Sequence, residues 1–150
     1  MQNMKQDKRA FNLCVRCGTC RTVCPAFLES GWESANTRGR MMIIKELTSG
    51  RLQADGDVLR SLNTCTTCGL CTENCPAGIS PPEIIERARR MLAIQGKVTP
   101  EQDALSRSIF QSGNTFGTGD DRLAWLQDRS LVRKKADYVY FVGCMNSYRY

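Results

Sequence analysis

The chain has 150 residues, nine cysteines, no histidine and a formal net charge of +6. The absence of histidine excludes Rieske-type ligation, histidine-dependent catalytic triads and histidine proton shuttling by this chain alone. No stretch approaches the roughly eighteen apolar residues of a membrane-spanning helix, and the aromatic residues do not alternate with arginines as a nucleic-acid stacking platform requires.

A run of four cysteines is the first feature along the chain. It has the form C-x2-C-x2-C-x3-C-P and consists of Cys14, Cys17, Cys20 and Cys24, followed by Pro25. Residues 1–10 are polar and charged, without the apolar core of a secretory leader, so we do not expect the oxidising compartment that disulfides need. Pro25, with its fixed φ, suits the start of a helix that leaves the loop.

Two helices are predicted in the 40 residues that separate Cys24 from Cys65. The first covers residues 38–52, because apolar side chains recur there at near-helical spacing and Gly50 is a plausible stop. These side chains are Met41, Ile44, Leu47 and Leu52. The second is shorter and begins at an Asp55 or Asp57 cap, and it leads the chain to Cys65.

The same cysteine run then occurs a second time, about fifty positions after the first. Its members are Cys65, Cys68, Cys71 and Cys75, followed by Pro76. After it, Ser80 and Pro81 mark the start of a helix that Gly96 ends. One stripe of this helix is apolar and is predicted to pack in the core. The stripe consists of Ile84, Ile85, Ala88, Met91 and Leu92.

The last third of the chain is less regular. A helix is predicted from a Thr99 cap to about Gln111, followed by a glycine-rich loop over 112–121 and a short helix over 122–128. Residues 138–142 form a β-type run that predicts a strand, which would need a sheet from elsewhere to pair with. The ninth cysteine, Cys144, follows this run and is either a ligand of a further cluster or a small buried hydrophobe.

The repeated spacing is that of bacterial ferredoxins, and two copies predict two 4Fe-4S clusters as cofactors. In two-cluster proteins of this pattern, the fourth cysteine of each run ligates the other cluster. We therefore assign cluster one to Cys14, Cys17, Cys20 and Cys75, and cluster two to Cys65, Cys68, Cys71 and Cys24. Such long-range ligation closes large loops, so the apo chain is expected to fold poorly.

Zinc is the alternative metal, since paired C-x2-C units can bind it. A zinc site does not explain why each run has a third cysteine after a further two residues and then a Cys-Pro. Two oxidised clusters contribute about −2 each, which leaves a net charge of about +2 and removes the main support for nucleic-acid binding.

Arg16 and Arg21 lie inside the first cysteine run, whereas Glu73 lies inside the second. This placement predicts that cluster two has the lower reduction potential.

Four further motifs, with the cysteine runs, resemble the iron–sulfur subunits of the heterodisulfide reductase group, of the C and D type. They are RGRM at 38–41, CPAGI at 75–79, GNTFG at 113–117 and YFVGCMNSYR at 140–149. The chain also resembles a related group of iron–sulfur subunits, which is the alternative family. These subunits belong to glycolate oxidase, lactate-utilisation and anaerobic glycerol-3-phosphate dehydrogenase complexes. The resemblance implies an α-helical ferredoxin domain and then a cysteine-rich domain, whose first motif cysteine matches Cys144 and most of which lies beyond Tyr150.

The predicted fold class is thus mainly α, with an α-helical ferredoxin domain over 1–130 and a linker and first strand of an α/β domain over 131–150. The predicted function is non-catalytic: relay of single electrons between a donor subunit and a catalytic subunit of an oxidoreductase complex. The resemblance implies a flavin subunit and a cysteine-rich subunit or domain as partners, and a cytoplasmic location with any membrane association made through a partner. An iron–sulfur sensor and a succinate dehydrogenase-type subunit are less favoured alternatives, because a DNA-binding motif and the plant-type C-x4-C-x2-C run are missing.

Overall fold

A computed structural model describes residues 11, 13–132 and 134–149. These residues are mainly helical, and none of them belongs to a β-strand. The chain divides into two compact units, Met1–Thr99 and Pro100–Tyr150. The predicted domain limits at 130 and 131 stay a prediction, since compactness alone does not define an independently folding domain.

The helices of the described residues follow the order of the sequence. In the first unit they are α1 (Thr19–Val23), α2 (Pro25–Ser30), a 3-10 turn (Glu33–Ala35), α3 (Thr37–Thr48), α4 (Gly56–Asn63), α5 (Leu70–Glu73) and α6 (Pro81–Ile94). In the second unit they are α7 (Pro100–Ser112), a 3-10 turn (Arg129–Leu131) and α8 (Cys144–Tyr148).

The two predicted helices between the cysteine runs are present as α3 and α4, and side-chain caps explain where they begin. Asn36 Oδ1 accepts a hydrogen bond from the backbone N–H of Gly39 at 3.2 Å, which caps α3. Asp55 Oδ1 accepts from the N–H of Val58 at 2.9 Å, so Asp55 rather than Asp57 caps α4. The chain leaves α3 through Gly50, whose φ of 74° lies in the left-handed region.

Helix α6 is the long helix predicted after the second cysteine run. Pro81 is its first residue, and Ser80 precedes it without a capping side-chain hydrogen bond. At its other end the N–H of Gly96 donates to Ala93 O at 3.0 Å and that of Lys97 to Leu92 O at 2.8 Å. These two bonds form a Schellman motif, which accounts for the glycine there.

The hydrophobic core of the first unit lies among α3, α4 and α6. Most members of the two predicted apolar stripes lie in this core, so that part of the sequence prediction is confirmed, whereas Leu47, Leu52 and Met91 are only partly buried at its edge. The buried core residues are Phe11, Met41, Ile44, Val58, Leu62, Ile79, Ile84, Ile85, Ala88 and Leu92. Cys14, Cys65 and Cys75 pack against the edge of this core, which therefore forms the support on which the cysteine loops lie.

Gly39 allows the 3-10 turn to pack directly against α3. A Cβ atom at this position would lie 2.0 Å from Glu33 O and 2.7 Å from Glu33 C, both of them backbone atoms. Real Cβ atoms do not approach a backbone carbonyl so closely, so only glycine fits here. This contact explains the glycine of the RGRM motif in terms of packing.

The second unit contains α7 and an ordered turn after it. Helix α7 matches the predicted helix, and none of its side chains is fully buried. Asn114, from the GNTFG motif, holds the glycine-rich loop together because its Nδ2 donates to Ser112 O at 3.0 Å and to Thr118 O at 2.7 Å. Its Oδ1 accepts from the N–H of Phe116 at 2.9 Å, and the side chain is almost fully buried.

Two predictions for the end of the chain are wrong. Residues 138–142 form no strand; their side chains are largely exposed, and Tyr138 is 93% exposed. Their β-propensity has no effect without a neighbouring strand to accept the backbone hydrogen bonds, and the described residues offer none. Residues 122–128 likewise form turns rather than a helix, because the segment is too short to be stable without packing.

Candidate metal centre

The first three cysteines of each run lie in loops that share the same pattern of left-handed residues. Arg16 and Thr67, each just before the second cysteine of a run, have φ values of 58° and 53°. Gly18 and Gly69, each just after that cysteine, have φ values of 86° and 83° and are the N-cap residues of α1 and α5. A left-handed residue on either side of one cysteine turns the chain sharply, so the first three cysteines of each run lie around a common loop. The sequence repeat is therefore a structural repeat.

Each loop borders a cavity, and each cavity is lined by cysteines from both runs. The first cavity has an empty volume of about 430 Å³, part of which is open to solvent. Its sulfur-bearing lining residues are Cys14, Cys17, Cys20, Cys71, Cys75 and Met41. The second cavity has an empty volume of about 310 Å³, part of which is open to solvent. Its cysteines are Cys24, Cys65, Cys68 and Cys71. The structure thus brings together all eight predicted ligands, and Cys24 and Cys75 each line the cavity that the other run surrounds.

The donor set fits an iron–sulfur cluster. Among the described residues no carboxylate lines either cavity, and no three cysteine or acidic side chains converge closely enough to hold a single metal ion. Thiols spread around a cavity suit a multinuclear cluster, in which each thiolate binds a different iron. Arginines border both cavities, Arg16 and Arg38 the first and Arg40 the second, as suits an anionic group.

The thiols differ in how readily they lose a proton. Thr19 Oγ1 lies 3.3 Å from Cys17 Sγ, and this hydrogen bond lowers the pKa of the exposed Cys17 thiol. Burial raises the pKa of Cys20 and of Cys71, and at Cys71 the Thr37 hydroxyl opposes this effect. Since iron binds thiolates, the more buried sulfurs depend most on compensating positive charge.

Arg38 lines the first cavity and connects its loop to the 3-10 turn. Its Nε lies 2.6 Å from Glu33 Oε1, and its Nη1 donates to the carbonyl of Arg16 at 3.4 Å. The guanidinium of Arg38 lowers the pKa of the Glu33 carboxyl. Arg38 therefore fixes the first loop against α3, but its charge is already paired and its side chain is 28% exposed.

Arg40 and Arg89 support the second loop, and sequence reasoning missed both. Arg40 is 0% exposed and donates from Nε to Ser61 O at 2.7 Å. Arg89 lies on α6 and donates from Nε to Leu62 O at 2.9 Å, and its Nη2 also reaches Cys65 O. These bonds fix the end of α4 and the first residue of the second loop. The RGRM motif was the available signal for Arg40, but a sequence does not show which arginine of a helix is buried.

Cys144 lies in the second unit as the first residue of α8 and is half-buried. A hydrogen bond from the backbone of Thr115, followed by the nearby Arg122, lowers the pKa of the Cys144 thiol. Arg122 Nη2 lies 3.8 Å from Cys144 Sγ. The side chain is thus a polarised thiol rather than a simple buried hydrophobe, and its role as a cluster ligand stays a prediction.

Comparison with known proteins connects this site to a protein family. The family model described as a 4Fe-4S dicluster domain matches residues 10–79, which contain both cysteine runs. The probable glycolate oxidase iron-sulfur subunit of Bacillus subtilis is 38% identical over 71% of this chain and 24% of its own length. One subunit of the dihydromethanophenazine:CoB–CoM heterodisulfide reductase of Methanosarcina barkeri is 32% identical over 92% of this chain and 38% of its own length.

A third relative is one subunit of the H2/formate:CoB–CoM heterodisulfide,ferredoxin reductase of Methanococcus maripaludis, which is 31% identical over 87% of this chain and 66% of its own. The chain spans 24% and 38% of the length of the first two relatives. No solved structure shows a significant match. Among the described residues, no helix is long and apolar enough to cross a membrane. Residues 10–79 therefore belong to the 4Fe-4S dicluster domain family, in a chain homologous to the iron–sulfur subunits of heterodisulfide reductase and glycolate oxidase.

Proposed function

We propose that this chain holds two 4Fe-4S clusters and carries single electrons between a donor subunit and a catalytic subunit of an oxidoreductase complex. The observation that carries the proposal is the arrangement of eight cysteines around two cavities. When bound, each cluster supplies a site that accepts and releases one electron. The chain's own residues hold these groups, set their surroundings and keep them close to each other.

The lining residues support one division of the ligands. Cys24, Cys65 and Cys68 line the second cavity and not the first, so a fourth ligand for that cavity has to be Cys71. The cysteines left for the first cavity are then Cys14, Cys17, Cys20 and Cys75. This division equals the cross-ligation that the sequence predicts, in which the fourth cysteine of each run serves the other cluster.

The wall between the cavities suits transfer between them. Thr37 and Cys71 line both cavities, so a sulfur ligand of the second cluster faces the space of the first. Both side chains are buried, which keeps the path between the clusters away from water. An electron entering at either end therefore has a short route through this chain.

The named relatives suggest the partners. They are subunits of heterodisulfide reductases and of glycolate oxidase, and we propose that this chain works with a flavin subunit and a cysteine-rich subunit or domain in a heterodisulfide reductase-like complex. A glycolate, lactate or glycerol-3-phosphate dehydrogenase complex is the second candidate, favoured by the 38% identity to the Bacillus subtilis glycolate oxidase subunit. Anaerobic purification with identification of the bound subunits distinguishes the two.

The ligand division has a direct test. Protein purified without oxygen should contain eight irons and eight sulfides per chain, and its reduced form should give two cluster signals in EPR spectroscopy. We expect Cys75→Ser to change the same signal as Cys20→Ser, and Cys24→Ser to change the same signal as Cys71→Ser. If Cys75→Ser instead changes the signal that Cys71→Ser changes, each run binds its own cluster and the cross-ligation is wrong.

A further inference from the structure

Arg40 is a buried cation for which the described part of the chain shows no carboxylate partner. Its relative exposure is 0%, and it lies on α3 beside the second cavity. None of the ion pairs among the described residues includes Arg40, whereas Arg38, two positions earlier, pairs with Glu33. Burial of an unpaired guanidinium is strongly unfavourable, so this position requires negative charge from another source.

The hydrogen bonds of Arg40 show where that charge belongs. Nε donates to Ser61 O at 2.7 Å and Nη2 to Thr64 Oγ1 at 2.9 Å, and both acceptors are neutral groups at the end of α4. The carboxyl end of a helix supplies a partial charge of about −0.5, which compensates the guanidinium only in part. The third nitrogen, Nη1, lies 4.0 Å from Cys24 Sγ.

The sulfur of Cys24 lies close to the positive charge of Arg40. It is buried, and as a thiol its Sγ donates weakly to Ala35 O at 3.7 Å. When Cys24 binds iron as a thiolate it has no proton to donate, and Nη1 of Arg40 is then the hydrogen-bond donor beside it. Positive charge and hydrogen bonds to ligand sulfur both favour the more negative, reduced form of an iron–sulfur cluster.

We propose that Arg40 is a positioning residue whose buried charge raises the reduction potential of the cluster held by Cys24, Cys65, Cys68 and Cys71 and makes it the higher-potential cluster of the pair. The inference rests on the proposed function, since it assumes that both clusters bind. It reverses the order that the sequence predicts, because Arg16, which lines the first cavity, and Arg21 are both exposed to solvent, and Arg21 lies 3.7 Å from Glu33. Solvent and that carboxylate weaken their effect.

The test is a redox titration of the holo protein followed by EPR spectroscopy. The signal altered by Cys24→Ser identifies the second cluster. In Arg40→Gln we expect eight irons per chain and a reduction equilibrium of that cluster at least tenfold less favourable, which is about 59 mV for one electron. The reduction equilibrium of the first cluster should change by less than threefold. Arg38→Gln is the matched control on the same helix. It should change the reduction equilibrium of the first cluster and leave that of the second within threefold of the wild-type value.

Arg40→Lys separates charge from shape, because it keeps the charge and loses the planar guanidinium. We expect this variant to retain eight irons and to keep the reduction equilibrium of the second cluster within threefold of the wild-type value. The inference would be overturned if Arg40→Gln left both reduction potentials unchanged or changed that of the first cluster instead. It would also be overturned if, in the wild type, the second cluster had a lower reduction potential than the first. Loss of iron from Arg40→Lys as well as Arg40→Gln would overturn it too, since shape would then be the requirement. Wild-type protein with far fewer than eight irons would instead overturn the proposed function itself.

Discussion

Replacement of Gly39 by alanine tests how the 3-10 turn is held against α3. The added Cβ would lie 2.0 Å from Glu33 O, 2.7 Å from Glu33 C and 3.1 Å from Ser34 Cα. All three are backbone atoms, so no side chain can rotate away to make room. To reach an ordinary contact of about 3.4 Å, the turn has to move from α3 by more than 1 Å at the carbonyl.

That movement disturbs several contacts that depend on the turn. Ser34 O accepts a hydrogen bond from Ser61 Oγ, and Asn36 caps α3. Overpacking of a well-packed site costs about 1–3 kcal/mol. In a chain of this size each kcal/mol lowers the thermal midpoint by about 2–4 °C, so we expect Gly39→Ala to lower it by roughly 2–12 °C.

The assay is thermal unfolding of the holo protein, followed by circular dichroism at a fixed scan rate without oxygen, together with the rate of iron release to a chelator. We expect faster iron release from Gly39→Ala, since the displaced turn leads into Asn36, which caps α3 next to Thr37, a residue that lines both cavities. Gly56→Ala is the matched control, because its Cβ meets nothing within 4 Å and it should be neutral or slightly stabilising. Equal midpoints for the two variants would refute the packing argument.

Three further predictions follow from local contacts. Asp55→Ala removes the cap of α4 and should destabilise the chain by about 1 kcal/mol in urea unfolding. Arg38 lowers the pKa of Glu33, so their pairing contributes stability above the unfolded pKa of that carboxyl and loses it as the pH falls through the lower folded value. Carbon NMR titration should show this lowered pKa, and Arg38→Gln should bring it back toward the ordinary value. Alkylation of Cys144 by iodoacetamide should reach half its maximal rate below the pH of a free thiol, and Arg122→Gln should move this point upward but only in part, because the Thr115 hydrogen bond remains.

The features that sequence predicted best are those that depend on local spacing. The cysteine runs define their loops within a few residues, and the helices around Ile44 and Ile84 follow from apolar periodicity together with caps and glycine stops. The left-handed conformation of Arg16 and Thr67 was not predicted, because neither residue type favours it. In both loops, the shape required around the cysteines overrides residue preference.

The features that sequence predicted poorly depend on neighbours far away in the chain. The β-type residues 138–142 predict a strand from composition, but a strand exists only where another segment accepts its hydrogen bonds. The order of the two potentials, predicted from charges inside the cysteine runs, stays a prediction, but the sequence does not show the buried charge of Arg40, sixteen positions after Cys24. Burial decides how much a charge matters, and burial is a property of the packed structure.

Helix α3 gives the two similar cysteine loops different surroundings. Successive residues of a helix are rotated by about 100°, so Arg38 and Arg40 point to nearly opposite sides, and each borders one cavity. Thr37 lies between the cavities and lines both. The guanidinium on one side is paired with a carboxylate and partly exposed, and the one on the other side is buried next to the sulfur of Cys24. A repeated loop therefore gives two similar sets of cysteines, and the first turn of one unrepeated helix gives these two sets unequal electrostatic surroundings.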